Sequence, residues 1–189
     1  MLPDGAPGIE RKHVALVGMM AAGKSTVGKL LARRLRMPFV DTDRLVVAAQ
    51  GRSVARIFAD EGEAAFRLYE CAAVSAALAG RPAVLATGGG GFAHQATRAL
   101  IAERSVSVYL EAPAALLHSR LLQSRTRRPL MRGAPTLERV EELLAARDAL
   151  YRRAHLVVSC AGRTREEVAD EIVRLLDAIA DGRSDATHR

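Results

Sequence analysis

The fold is decided by Val14-Ala15-Leu16-Val17-Gly18-Met19-Met20-Ala21-Ala22-Gly23-Lys24-Ser25-Thr26. Four apolar residues predict a strand, and Val27 to Leu35 read as the helix after it. The turn between them matches G-x-x-x-x-G-K-[ST] in the setting this motif requires. Gly18 and Gly23 let the backbone curl so that its N–H groups, with the helix N-terminus, point at phosphate oxygens. Ala21, Ala22, Gly23 and Thr26 would line the nucleotide phosphates, Lys24 would bridge the β- and γ-phosphates, and the Ser25 hydroxyl would ligate Mg²⁺. The bland alternative is a tight turn with an exposed lysine, and the complete motif in context weighs against it. Nothing in the motif names the reaction, because switches, motors and kinases share it.

Further along, Phe39-Val40-Asp41-Thr42-Asp43 ends a second expected strand. The two-residue strand period places Asp41 and Asp43 on one side, facing a cleft beyond the carboxyl ends of parallel strands. One carboxylate could organise Mg²⁺ through its waters while the other accepts or orients an acceptor hydroxyl. The plainer role for Asp-Thr-Asp is to cap a following helix. Gly88-Gly89-Gly90-Gly91 follows the third expected strand and leaves that edge without side chains, so a ligand could meet bare backbone there; a flexible turn is the alternative.

Short apolar runs alternate with longer helical patterns along the chain, which predicts an α/β fold with a parallel sheet. The expected strands are Val14 to Val17, Phe39 to Val40, Ala83 to Ala86, Val106 to Leu110 and Leu156 to Val158. Thr164 and Glu167 form a capping box for a last helix whose apolar stripe is Val168, Ile172, Leu175, Leu176 and Ile179. In the helix from Leu137 to Tyr151, Arg147 falls four residues after Leu143, where a core contact would be expected. A guanidinium there needs an anion, supplied by a ligand or by an acidic neighbour such as Glu63 or Asp60. Arg67, in the helix expected to begin near Glu61, is less distinctive by pattern, since most arginines so placed are solvated. An irregular stretch from about Gln123 to Pro135 carries Arg125, Arg127, Arg128 and Arg132, and reads as an arginine-rich lid.

At 189 residues the chain suits one domain, over residues 13–180, with frayed segments at 1–12 and 181–189. Its 49% hydrophobic and 26% charged residues are those of a folded globular protein. No apolar run is long enough to cross a bilayer and no secretory signal is visible, so a cytoplasmic location without membrane association is expected. Cys71 and Cys160 suggest neither a disulfide framework nor a zinc site and read as buried thiols. A net charge of +7 raises the question of a nucleic-acid partner. All but three of the basic residues are arginines scattered among Glu and Asp on helices, and stacking aromatics are scarce, so none is expected.

Taken together, Gly18 to Thr26, Phe39 to Asp43, Gly51-Arg52-Ser53-Val54-Ala55-Arg56-Ile57-Phe58, Gly62-Glu63-Ala64-Ala65-Phe66-Arg67, Gly88-Gly89-Gly90, Arg128-Pro129-Leu130 and Arg147-Asp148-Ala149-Leu150-Tyr151 resemble the ordered motif set of shikimate kinases. The resemblance implies a three-layer α/β/α P-loop fold in the nucleoside-monophosphate-kinase style, with a five-stranded parallel sheet, helices on both faces and a lid. It implies transfer of the ATP γ-phosphate to the 3-hydroxyl of shikimate in the route to aromatic amino acids; a monomer is expected. By the same resemblance Asp43 contacts the reacting hydroxyl, Arg67 and Arg147 bind the shikimate carboxylate, and Gly89 and Gly90 line the pocket. Asp41 acts through the Mg²⁺ shell, Arg128 reaches the ATP phosphates from the lid, and Arg163 lies near the adenine. Ala21 departs from the family, which usually has a further glycine there, and a modest effect is expected. Arg120, Arg125 and Arg127 all compete to be the second lid arginine. A gluconate-type kinase would share the loop and fold, and a ligand-sensing domain without catalysis would share the binding residues.

Overall fold

A computed structural model describes residues 12–124, 131 and 133–181. Strands β1 (His13–Val17), β2 (Phe39–Asp41), β3 (Val84–Ala86), β4 (Ser105–Glu111) and β5 (Leu156–Ser159) form one parallel sheet in the order β2-β3-β1-β4-β5. β1 is central, with Val14 opposite Val84 on one side and Val106 on the other. All five residues of β1 are buried whichever way they point, as expected of a parallel strand covered on both faces. The remaining elements are α1 (Lys24–Arg34), α2 (Thr42–Gln50), α3 (Val54–Ala79), a 3₁₀ turn at Gly91–Ala93, α4 (Gln95–Arg104), α5 (Ala114–Leu122), α6 (Leu137–Tyr151) and α7 (Arg165–Ala180).

Three boundaries differ from the sequence expectation in ways that bear on the site. Helix α1 begins at Lys24 rather than Val27, because Gly23 takes the N-cap position with φ 104° and the motif itself becomes the first helical turn. Strand β2 stops at Asp41, whose side chain accepts from the Arg44 backbone N–H and so caps α2. Asp43 therefore sits in the first turn of a helix, and the strand alternation invoked for the pair does not apply. Helix α3 is broken by Gly62 at φ 81°, which sets the half carrying Arg67 at a new angle.

The main core is the sheet interior with the inner faces of α1, α5, α6 and α7, including Leu16, Leu31, Val108, Leu117, Val140 and Ile172. Truncating a fully buried leucine such as Leu16 to alanine would cost about 2–5 kcal/mol. The capping box of α7 forms as expected: the Glu167 N–H donates to Thr164 Oγ1 at 3.2 Å and the Thr164 N–H to Glu167 Oε2 at 2.7 Å. Val168, Ile172 and Leu176 of its stripe are buried, with Leu175 and Ile179 packed beside them. Cys160 is buried but Cys71 is only half-buried, so one of the two expected buried thiols is partly open. The stretches 1–11 and 182–189, and Arg125, Arg127, Arg128 and Arg132 of the expected lid, lie outside the described residues.

Candidate active site

A cavity of about 670 Å³ opens at the carboxyl edge of the sheet, where the loop after β1 meets the ends of β2, β3 and β5. Gly18 is required in that loop on two counts. Its φ is 129°, and a Cβ would stand 2.9 Å from the Leu110 carbonyl oxygen on β4. Ala21 adopts φ 64°, a left-handed conformation in which a side chain costs about 1–2 kcal/mol. Ala21 therefore carries a backbone cost that a glycine there would not.

Lys24 is buried (8% exposed) at the base of the loop, where Nζ donates to the carbonyl oxygens of Gly18 at 2.7 Å and Met19 at 2.8 Å. The Ser25 hydroxyl donates to Asp41 Oδ2 at 2.8 Å. Asp41 thus caps α2 with one oxygen, as the plainer reading had it, and meets the phosphate loop with the other. Arg120, on α5, donates to the carbonyls of Ala21 and Ala22 at 3.3 and 3.1 Å. Of the three competing lid arginines, only Arg120 falls among the described residues. Asp43, Gly89 and Arg163 line the same cavity. Cys160 lines it too, its thiol pKa raised by burial.

Gly90, Arg67 and Arg147 are not part of the cavity's lining, but Gly90 belongs to the same glycine run as Gly89 and packs on the Arg67 guanidinium. The contacts of that run are close enough to define it. A Cβ on Gly88 would approach Asp43 Oδ1 to 2.7 Å and press harder still on Glu70 Oε1. On Gly89 it would stand 3.0 Å from the Met20 backbone nitrogen, and on Gly90 it would run into the Arg67 guanidinium. The Gly88 N–H donates to Thr42 Oγ1 at 3.2 Å, which ties the run to the start of α2. Side chains are absent here because the phosphate loop, Asp43, Glu70 and Arg67 already occupy the space.

Arg67 is not solvated, as its position in the pattern suggested, but 9% exposed. It donates to Glu70 Oε2 at 2.6 Å and to Glu63 Oε1 at 2.7 Å. Burial works against its charge, but Glu70 and Glu63 outweigh it and raise the pKa. Burial likewise pushes the Glu70 carboxyl up, with Arg67 pulling the other way. Glu70 escaped sequence analysis, although its spacing of three residues from Arg67 on one helix was a usable signal. Neither acidic neighbour considered for Arg147 serves it: Glu63 pairs with Arg67, and Asp60 lies 2.8 Å from Arg56 and 3.6 Å from Arg52. Arg147 Nη1 is buried without a hydrogen-bond partner among the described residues. A buried cationic nitrogen so placed is suited to an incoming anion.

The family model for shikimate kinase matches residues 20–177. The chain belongs to the shikimate kinase family. A shikimate kinase from Caulobacter vibrioides is 45% identical over 170 residues, covering 90% of this chain and 84% of the relative. Among solved structures, the shikimate kinase of Acinetobacter baumannii in complex with shikimate superposes with a TM-score of 0.84 at 32% identity, over 89% of this chain and 94% of that one. A gluconokinase from Sinorhizobium meliloti reaches a TM-score of 0.62 at 18% identity over 95% of this chain and 99% of that one, a likeness of fold alone. Family membership makes this an α/β P-loop kinase that uses ATP.

Proposed function

We propose that this chain transfers the γ-phosphate of ATP to the 3-hydroxyl of shikimate, giving shikimate 3-phosphate and ADP in the biosynthesis of aromatic amino acids. The observation that carries the reading is the position of Asp43, which lines the cavity of the phosphate loop and also touches the glycine run against which Glu70 and Arg67 are packed. A hydroxy acid bound there has its anion held by Arg67 and Arg147 and its alcohol beside a carboxylate. As the acceptor oxygen bonds to the γ-phosphorus, its proton passes to Asp43 and the bond to the β-phosphate oxygen breaks, leaving ADP. Lys24 and the N–H groups of residues 21–26 hold the phosphates, with Arg163 and Arg128 as further nucleotide contacts. Gly89 and Gly90 line the acceptor pocket.

The donor set fits Mg²⁺. Ser25 Oγ and Asp41 Oδ2 are hard oxygens 2.8 Å apart, and no group of three His, Cys, Asp or Glu able to hold a metal occurs among the described residues. Mg²⁺ takes most of its ligands from phosphate and water and needs few from protein. When bound, it would neutralise charge building on the phosphate oxygens.

Several described arginines are compensated locally, as in Arg34 with Asp170, Arg139 with Glu142 and Arg174 with Glu171. This favours small anions over nucleic acid as partners. No helix among the described residues is long and apolar enough to cross a membrane. A monomer in a cytoplasmic setting, where ATP is supplied, completes the proposal. The test is an ADP-release assay with Mg²⁺ and a panel of hydroxy acids: shikimate should drive turnover and gluconate should not. Turnover on gluconate alone would replace the substrate. Binding of ATP and shikimate without ADP release would favour a sensor.

A further inference from the structure

We propose that Tyr151 is a positioning residue for the acid substrate, its hydroxyl fixing Arg147 and the Gly89 carbonyl relative to one another. The inference rests on the reading of Arg147 as a carboxylate-binding residue. Tyr151 closes α6 four residues after Arg147, a spacing that brings the two side chains together on one helix face. Its ring is fully buried (0% exposed) and packs on Tyr109, with centroids 5.1 Å apart and planes tilted by 32°. That packing dictates where the hydroxyl lies. There it donates to the Gly89 carbonyl oxygen.

Arg147, one helical turn back on the same face of α6, stands beside the same phenol. Burial raises the Tyr151 pKa, and the charge of Arg147 opposes the rise. A phenol can donate once and accept as well, so one oxygen can serve both neighbours. Gly89 in turn abuts the phosphate loop at Met20. Tyr151 therefore joins the helix that carries Arg147 to the point where the nucleotide and acceptor sites meet. A free arginine side chain has rotamer entropy to lose when it grips a ligand. An arginine already steered by the hydroxyl loses less on binding, and this improves affinity for the carboxylate without touching the transferred phosphoryl group.

The test is Tyr151→Phe in the full chain, which keeps the ring and its packing and removes only the hydroxyl. The shikimate KM should rise about tenfold, while kcat and the ATP KM stay within about twofold. In an Arg147→Ala background the same change should move the shikimate KM by less than about twofold, because the hydroxyl then has no guanidinium to steer. Tyr109→Phe is the control. It removes a hydroxyl from the same aromatic pair, one that donates to Asp148 Oδ1 at 2.8 Å, and should leave the shikimate KM in place whatever it does to the thermal midpoint. An unchanged KM in Tyr151→Phe, an equal rise in both phenylalanine variants, or an undiminished effect without Arg147 each overturns the inference. Should Tyr151→Phe not fold, 3-fluorotyrosine at 151, which keeps the hydroxyl but weakens it as an acceptor, must raise the shikimate KM; no rise overturns it. A wild-type protein inert toward shikimate refutes the functional reading instead, so the two failures are distinct.

Discussion

The two ends of the sheet are built from the same strands and finished in opposite ways. Where the strands begin, polar side chains complete the backbone: His13 Nδ1 accepts from the Ala83 N–H at 3.2 Å, and His155 Nδ1 accepts from the Ser107 N–H at 3.1 Å. Ser107 Oγ also accepts from the His155 N–H at 3.0 Å. Where the strands end, charged groups crowd a glycine run, Ala21 holds a left-handed backbone, and Glu70 Oε1 and Arg147 Nη1 are buried without hydrogen-bond partners among the described residues. Buried polar groups left unmatched cost stability, so a protein tolerates them where something else is to match them. One end of the sheet is finished by the protein itself, and the other is finished by what it binds.

The sharpest break in this contrast comes from Asp43. Asp43→Asn keeps the size of the side chain and removes the proton acceptor, so kcat should fall about 10²–10⁴-fold with ligand affinities nearly unchanged. Arg147→Ala, at the same end, should act the other way and mainly raise the shikimate KM through the lost charge-assisted pair. Steady-state kinetics on both variants separates the roles, and equal, small effects in both would remove the distinction between the group that reacts and the group that holds.

A smaller change probes the space left by the missing side chains. In Gly90→Ala the added methyl meets the Arg67 guanidinium, which is held by Glu63 and Glu70 and has little room to retreat. The shikimate KM should rise about tenfold or more, whereas the thermal midpoint should fall little, because the glycine run is not part of the hydrophobic core. A large drop in the midpoint with an unchanged KM would mean that the run serves the fold and not the ligand.

How much of this was legible beforehand depended on whether a residue acts through a local pattern or through packing. The phosphate loop is contiguous, and its roles follow from one turn of backbone, so Gly18 to Thr26 could be read directly. Asp43 was found by the wrong route, since a strand period suggested what an N-capped helix delivers. Arg67 looked like a surface residue because helix periodicity is blind to the kink at Gly62 and to two carboxylates on neighbouring turns. Tyr151 is one apolar position among many in the sequence, and its hydroxyl acquires meaning only once Gly89 is brought to it across 62 residues of chain. Arg128, read from the family resemblance, falls outside the described residues, so its place at the nucleotide stays a proposal.

The finished end of the sheet has a pH signature of its own. The His13 pKa is lowered by desolvation, against the pull of the Leu78 and Gly80 carbonyls, and that of His155 by desolvation and the charge of Lys12. A histidine whose folded pKa lies below its unfolded value of about 6.5 contributes stability that is present above that value and lost as pH falls through the folded pKa, because the unfolded chain takes up the proton more readily. Protonation would also put a hydrogen on the Nδ1 that accepts from Ala83 or Ser107. The thermal midpoint should therefore decline on acidification from about pH 7.5 to about 5, and His13→Leu should make the decline shallower while costing about 1–3 kcal/mol at neutral pH, the penalty for leaving the Ala83 N–H unmatched. His13 lies at the start of β1, about 16 Å from the phosphate loop at the strand rise per residue, so kcat and the shikimate KM should not move. If the variant kept the same acid slope, His13 would not be a source of it; if it lost turnover without losing stability, the two ends of the sheet would not be as separate as their chemistry implies.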